Sequence, residues 1–316
     1  MRTRALHYQV GTHAFRIVAS SNFDVTEALP SLGPFLTTAK TDNEIIFELC
    51  IDNSEVTIAP DSLEELDDIR FNWEDASCVI RPMPDETTYL VFITPQNSKQ
   101  TFYMECDDRF RYCTAYLPAN ENAPKAGLRG SLESFVLNNY LMMLYAFNAA
   151  RYHTLLMHAS VISSNDKGYL FLGKSGTGKS THTSLWLKHI PGCHLLNDDN
   201  PVVHVDSDTK QATVFGSPWS GKTPCYLNES VPVGAFIRLE QALENEMERE
   251  NAVGAFAALL PSCSCLKQDK EIYNGIVSTV TELATLVPVY HLKCLPDKDA
   301  AELCRERVER DNGGIK

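Results

Sequence analysis

The chain has 316 residues, of which 44% are hydrophobic and 22% charged, enough apolar mass for a large core and a length prior of about two domains. Its formal net charge of -13 argues against a general nucleic-acid or anionic-membrane surface, because both depend on clustered Lys and Arg. Ten cysteines spread from Cys50 to Cys304 without regular spacing, and no apolar signal segment comes after Met1-Arg2-Thr3-Arg4, a pattern that favours a reducing cytoplasm over a disulfide framework.

Residues 1 to 125 read as a smaller, antiparallel β-rich N-terminal domain. Short β-like runs (14–18, 44–49, 89–93 and 101–104) alternate with turn formers at Asp52-Asn53, at 82–85 and at 95–98. No catalytic signature stands out there; Trp73, Glu74 and Asp75 read as an aromatic and two acids at a strand edge. Pro118 to Pro124 is polar and bracketed by prolines, which marks a linker. The second domain, 126–316, opens with Ser131 capping a helix to about Tyr152, whose apolar residues recur at helical spacing. Its most apolar stretch, Phe135 to Phe147, is interrupted by Asn138 and Asn139 and is too short to span a bilayer, so no membrane segment is expected.

Leu155 to Ile162 reads as a strand, and a turn at 163–168 returns the chain into a second strand, Gly168 to Leu172, a hairpin that brings His158 toward the loop after Leu172. That loop is Gly173-Lys174-Ser175-Gly176-Thr177-Gly178-Lys179-Ser180, with Thr181 next, a full match to the phosphate-loop pattern G-x-x-x-x-G-K-[ST]. A helix from Ser180 to His189 completes the strand, loop, helix context. The glycines let successive N–H groups turn around an anion, the helix start adds partial positive charge, and Lys179 adds a full one. Ser180 offers its hydroxyl to a Mg²⁺ ion shared with the phosphates. These residues predict a nucleotide bound with Mg²⁺.

Beyond the loop helix, Cys193 to Leu196 predicts a strand ending at Asn197-Asp198-Asp199-Asn200. Two carboxylates at a strand end, 19 positions after Lys179, are placed to reach its metal. Runs 202–205 and 212–215 flank a hairpin turn. The chain then enters Gly216-Ser217-Pro218-Trp219-Ser220-Gly221-Lys222, where Lys222 is a candidate second phosphate contact and Trp219 either walls a ligand or packs the loop down. Ala235 to Leu239 predicts a strand, Glu244 to Glu250 a solvated turn, Asn251 the cap of a helix closed by Pro261, 270–286 a helix, 287–292 a strand, and Asp297 to Arg310 a last charged helix before a frayed end. Cys263-Ser264-Cys265 lacks the further ligands of a zinc site.

The series His158, Gly173 to Ser180 and Asp198-Asp199 resembles the catalytic domain of HPr kinase/phosphorylase, whose fold is related to phosphoenolpyruvate carboxykinase. The match is good over about residues 150 to 225 and loose beyond, and residues 1–125 are not recognisably that family's N-terminal domain. The resemblance implies an α/β (α+β) fold with a mixed-sheet P-loop domain. It implies Asp198 as general base toward an acceptor hydroxyl, Asp199 and Ser180 as Mg²⁺ ligands, Lys179 bridging the phosphates, and His158 tuning the proton on Asp198. The family's arginine-rich segment has no counterpart, since 262–269 offers only Lys267; Lys222 or Arg238 are the substitutes at hand. The expected activity is transfer of the γ-phosphate of ATP to a hydroxyl, of the serine kind, on a protein, peptide or small molecule. The alternative is a non-catalytic ATP-binding regulator or scaffold. The expected partners are a nucleotide and an unidentified acceptor, without nucleic acid or membrane. The hexamer of HPr kinase is a precedent for a homo-oligomer, but the sequence leaves the assembly open.

Overall fold

The structure is a computed structural model that describes residues 3–53, 68–72, 75–84, 87–96, 98–117, 130–221 and 223–311. Trp73 and Glu74, the linker 118–124, Lys222, the turn residues 85 and 97, and the terminal residues 312–316 lie outside the described residues. The chain divides into two compact units, Met1–Gln9 with His13–Asn148, and Val10–Thr12 with Ala149–Lys316. Each is built on its own mixed sheet, which makes the protein α+β.

The first unit begins with β1 (Thr3–Val10) and β2 (His13–Ser20), then a short α1 (Val25–Ala28) and β3 (Leu36–Thr37). It continues through β4 (Ile45–Asp52), β5 (Ile69–Asn72), β6 (Ala76–Pro82), β7 (Thr88–Pro95), β8 (Phe102–Asp107) and β9 (Tyr112–Tyr116) to the helix α2 (Leu132–Ala149). The strand order is β3-β1-β2-β4-β9-β8-β7-β6-β5. The expected antiparallel sheet is therefore mixed: β4 runs parallel to both β2 and β9. The reason lies in the connection: residues between β2 and β4 form α1, a 3₁₀ turn and β3 instead of a tight turn, and a parallel pair needs such a crossover.

Helix α2 falls in this unit, although the sequence placed it with the second domain. Its aromatic residues explain why. Tyr145 meets Phe15 edge-on at 6.4 Å, and the buried Tyr140 hydroxyl donates to the Val91 carbonyl at 3.3 Å. Apolar spacing identified the helix and its Ser131 cap, whose Oγ accepts from Ser134 N, but could not say which sheet the stripe would cover.

The second unit contains β10 (Thr154–Leu156), β11 (Ala159–Ser164), β12 (Lys167–Leu172), α3 (Lys179–His189), β13 (His194–Asp199), β14 (Val202–Asp206), β15 (Gln211–Phe215), β16 (Ser230–Gln241), β17 (Glu246–Arg249), α4 (Ala252–Leu259), α5 (Lys270–Leu286), β18 (Val289–Cys294) and α6 (Lys298–Asp311). The path is β10-β14-β15-β16-β12-β11-β13, with β18 parallel to β16 and β17 antiparallel to β18. The run 244–250 is thus an edge strand and not a turn. Its buried Met247 faces the core while the flanking Glu and Arg residues stay in solvent.

The single strand expected over 155–162 is two. The chain leaves β10 at Met157, whose N–H bonds Pro201 O, and enters β11 after His158, whose N–H bonds Ser262 O. That break lets β10 pair with β14 and β11 with β12 and β13. Asn165 and Asp166 turn β11 into β12 with φ of 49° and 59°, the left-handed pair that suits a two-residue hairpin. Trp186 of α3, fully buried, packs against Tyr169 and Phe171 of β12, and α6 packs on α3. α3 is thereby fixed on the sheet with its first turn at the carboxyl end of β12.

Candidate functional site

Sheet register sets the site. β11 lies between β12 and β13, with Ala159 opposite both Leu172 and Asp199, and Ser160 opposite Asp198. The residue just before β11 is His158, so the histidine sits between the loop that leaves β12 and the acids that end β13. Alternation along a strand sends neighbouring side chains to opposite faces. Asp198 and Asp199 therefore have different surroundings.

Asp198 is turned to the α3 side and is 4% exposed. Its Oδ1 accepts from Ser160 Oγ at 2.9 Å and from Ser180 Oγ at 3.2 Å. Among the described residues it makes no ion pair, and its Oδ2 accepts no hydrogen bond. A buried carboxylate served only by hydroxyls is short of positive charge, and a hard divalent cation with oxygen ligands fits that deficit. Ser180 and Asp198 are thus the residues that could hold Mg²⁺.

Asp199 is more open, and its Oδ1 stands 3.0 Å from His158 Nδ1. On the other side of the same ring, His158 Nε2 is 2.7 Å from Lys179 Nζ. An ammonium only donates, so Nε2 is the acceptor and the neutral imidazole carries its proton on Nδ1, directed to Asp199. Lys179 also donates to the Gly173 carbonyl at 2.9 Å. Burial lowers the Lys179 pKa, while the charges of Asp199 and Asp198 act in the opposite direction. Lys179, His158 and Asp199 form one continuous relay.

The sequence expectation paired His158 with Asp198, and Asp199 with Ser180. The structure pairs them the other way round. The two acids are adjacent in sequence and equally acidic in composition, so only the strand's face assignment separates them.

The loop from Gly173 to Gly178 needs its glycines. Gly178 caps α3 at φ 111°, in left-handed space, and a Cβ on Gly173 would come within 3.0 Å of Thr177. Thr177 N–H and Oγ close the loop on the Lys174 carbonyl. Lys174, Ser175, Gly176, Ser180 and Thr181 continue the same turn into the helix start, as the motif requires.

Asp199 itself has φ 120°, a costly conformation for a residue with a Cβ. It is held there by the segment after β15. Gly221 N–H bonds Asp198 O, Asp199 bridges to Ser220, and Asn200 Nδ2 donates to Asp199 Oδ2 at 2.8 Å. Asn197 anchors that segment through Ser217 and Trp219, and Trp219 is 1% exposed. Of its two readings, packing is the one realised. Arg238 is committed to Glu250 at 3.4 Å, with Glu240 nearby. Sequence reasoning missed Ser160 and Asn197; the period of two along β11 and the neighbouring Asp-Asp pair were the signals available for them.

Fold and site together define a class of protein: an α+β chain of two mixed sheets, the second carrying a glycine loop, a lysine–histidine–aspartate relay and a second, hydroxyl-bound aspartate at one strand end. No helix among the described residues is long and apolar enough to cross a membrane. No protein-family model and no curated protein matches the chain. Among solved structures, the HPr(Ser) kinase/phosphatase from Coxiella burnetii is similar over 50% of this chain and 94% of its own, at 14% identity and a TM-score of 0.27. A likeness of that size carries no argument about activity. The geometry of the site has to supply it.

Proposed function

We propose that the second unit binds ATP with Mg²⁺ and transfers the γ-phosphate to a hydroxyl of a protein, peptide or small molecule. The observation that carries this reading is the division of labour between the two adjacent acids, one beside the Ser180 hydroxyl and the other hydrogen-bonded to His158. Binding alone needs the first arrangement but not the second.

In this reading the loop N–H groups and Lys179 hold the phosphates, and Ser180 and Asp198 hold Mg²⁺, which when bound neutralises phosphate charge. Asp199 is the general base. As the acceptor oxygen forms its bond to phosphorus, the bond from phosphorus to the bridging oxygen of ADP breaks, and the hydroxyl proton passes to Asp199. His158 orients the Asp199 carboxylate through Nδ1–H. Lys222 remains a candidate for a further phosphate contact.

The test is to incubate the protein with γ-labelled ATP and Mg²⁺, offering the protein and small-molecule fractions of a cell extract separately. Label in one fraction identifies the acceptor class, and Asp199→Asn should remove it while ATP still binds. Transfer that survives Asp199→Asn would take that residue out of the chemistry. Tight ATP binding without label in either fraction would instead favour a nucleotide-operated regulator.

A further inference from the structure

A cavity of about 270 Å³ opens beside the start of α3. Its near wall is Thr177, Gly178 and Thr181, the outgoing end of the glycine loop and the first helical turn. None of His158, Asp198 and Asp199 lines it, so it extends from the loop on a side that the acids do not occupy. The walls beyond are apolar, formed by Leu185 of α3, Leu239 near the end of β16, and Leu295 and Pro296 after β18. If the terminal phosphate lies at the acids, the rest of the nucleotide leaves the loop toward this cavity.

Two polar side chains in the lining each keep one unused hydrogen-bonding function. His182 is 3% exposed, and its Nε2 accepts from the Trp186 indole at 3.2 Å. An indole N–H only donates, so Nε2 is the acceptor and the ring carries its proton on Nδ1. That N–H has no hydrogen-bond partner among the described residues, and the ring lines the cavity. Gln241, at the end of β16, donates from Nε2 to the Gly176 and Thr177 carbonyls at 3.2 and 3.4 Å. Because carbonyls only accept, these contacts fix the amide's orientation and leave Oε1 as a spare acceptor.

We propose that this cavity is the nucleobase site of the glycine loop and that it selects adenine. Gln241 Oε1 accepts from the exocyclic amino group, His182 Nδ1–H donates to a ring nitrogen, and the leucines and proline cover the ring faces. A base with a carbonyl in place of the amino group sets two acceptors against each other at Gln241, which is where discrimination arises. The inference rests on the phosphate-binding reading of the loop.

The experiment measures, by calorimetry with Mg²⁺ on the full chain, the affinities of tripolyphosphate, ATP and ITP, which replaces the 6-amino group with a carbonyl. ATP should bind at least about tenfold more tightly than ITP, the worth of one well-placed hydrogen bond, and more tightly still than tripolyphosphate. Filling the cavity with Ala242→Trp should bring ATP down to the tripolyphosphate value and leave tripolyphosphate unchanged. Gln241→Leu should abolish the preference for ATP over ITP. Equal affinities for ATP and ITP overturn the adenine assignment, and equal affinities for ATP and tripolyphosphate overturn the base site while the phosphate site stands. If Gln241→Leu weakens tripolyphosphate as much as ATP, Gln241 only holds the loop and its base-reading role is overturned. If none of the three ligands binds, the phosphate reading falls, and this inference with it.

Discussion

The two units place charge in their interiors in opposite ways. In the first, Arg81 and Asp68 form a two-pronged ion pair at 2.7 and 2.8 Å, with side chains 6% and 2% exposed, and Arg81 lies 5.5 Å from the Phe92 ring centre. Asp68 also accepts from Arg70 Nη2 at 2.9 Å, so its charge is met within the protein. In the second, the buried Lys179 and Asp198 make no ion pair with each other, and bind instead to a carbonyl, an imidazole and two hydroxyls. A closed pair completes an architecture, whereas two separated buried charges keep capacity for a ligand carrying both signs, such as a phosphate with its metal. Substitutions should therefore separate stability from activity between the units.

The largest expected effect is on chemistry. Asp199→Asn should lower phosphoryl transfer by about 10²- to 10⁴-fold, the usual range for a lost general base, with nucleotide affinity within a few-fold of the native value. Equal loss of binding would return Asp199 to the metal role. Next comes Arg81→Ala, which leaves the buried Asp68 carboxylate with only the more exposed Arg70. It should cost about 3–5 kcal/mol in denaturant unfolding of the first sheet while ATP affinity in folded protein is unchanged. The Arg81 hydrogen bond is what holds the Asp68 pKa below its ordinary value, so the native pair's contribution is present above the unfolded carboxylate pKa and is lost as pH falls through the lower folded one.

A smaller effect sharpens the contrast from the side of the second unit. The unfolded His182 takes up a proton near pH 6.5 but the folded one only near 4, because burial disfavours its charge. Between those values the unfolded state binds more protons, so stability falls as pH is lowered through that window, by up to about 3 kcal/mol. His182→Gln should flatten that part of the stability curve measured by urea titration at stepped pH; an unchanged slope would assign the dependence elsewhere. Smallest is Ser160→Ala, which removes one of two hydroxyl donors to Asp198. It should raise the Mg²⁺ concentration for half-maximal ATP binding by about tenfold, as outer-shell contacts to metal ligands do, and leave unfolding nearly untouched. No change in Mg²⁺ dependence would detach Ser160 from the metal.

Local chemistry determined much of this protein from the sequence alone. Glycine spacing and a trailing Lys-Ser are sufficient to specify a loop between a strand and a helix, and Asn251 and Asp297 mark helix starts because their side chains accept the first free N–H groups. Apolar periodicity likewise located most strands and every long helix. Tertiary structure decided what periodicity leaves degenerate: that the first sheet is mixed, that α2 covers it, that 246–249 pairs with β18, and that the run 155–162 is divided between β10 and β11. It also decided which aspartate meets His158. Adjacent residues on a strand differ by which face they occupy, and a face acquires an identity only when a neighbouring strand fixes the register and a helix covers one side; here β11 and α3 do so, giving Asp198 the hydroxyls and Asp199 the histidine.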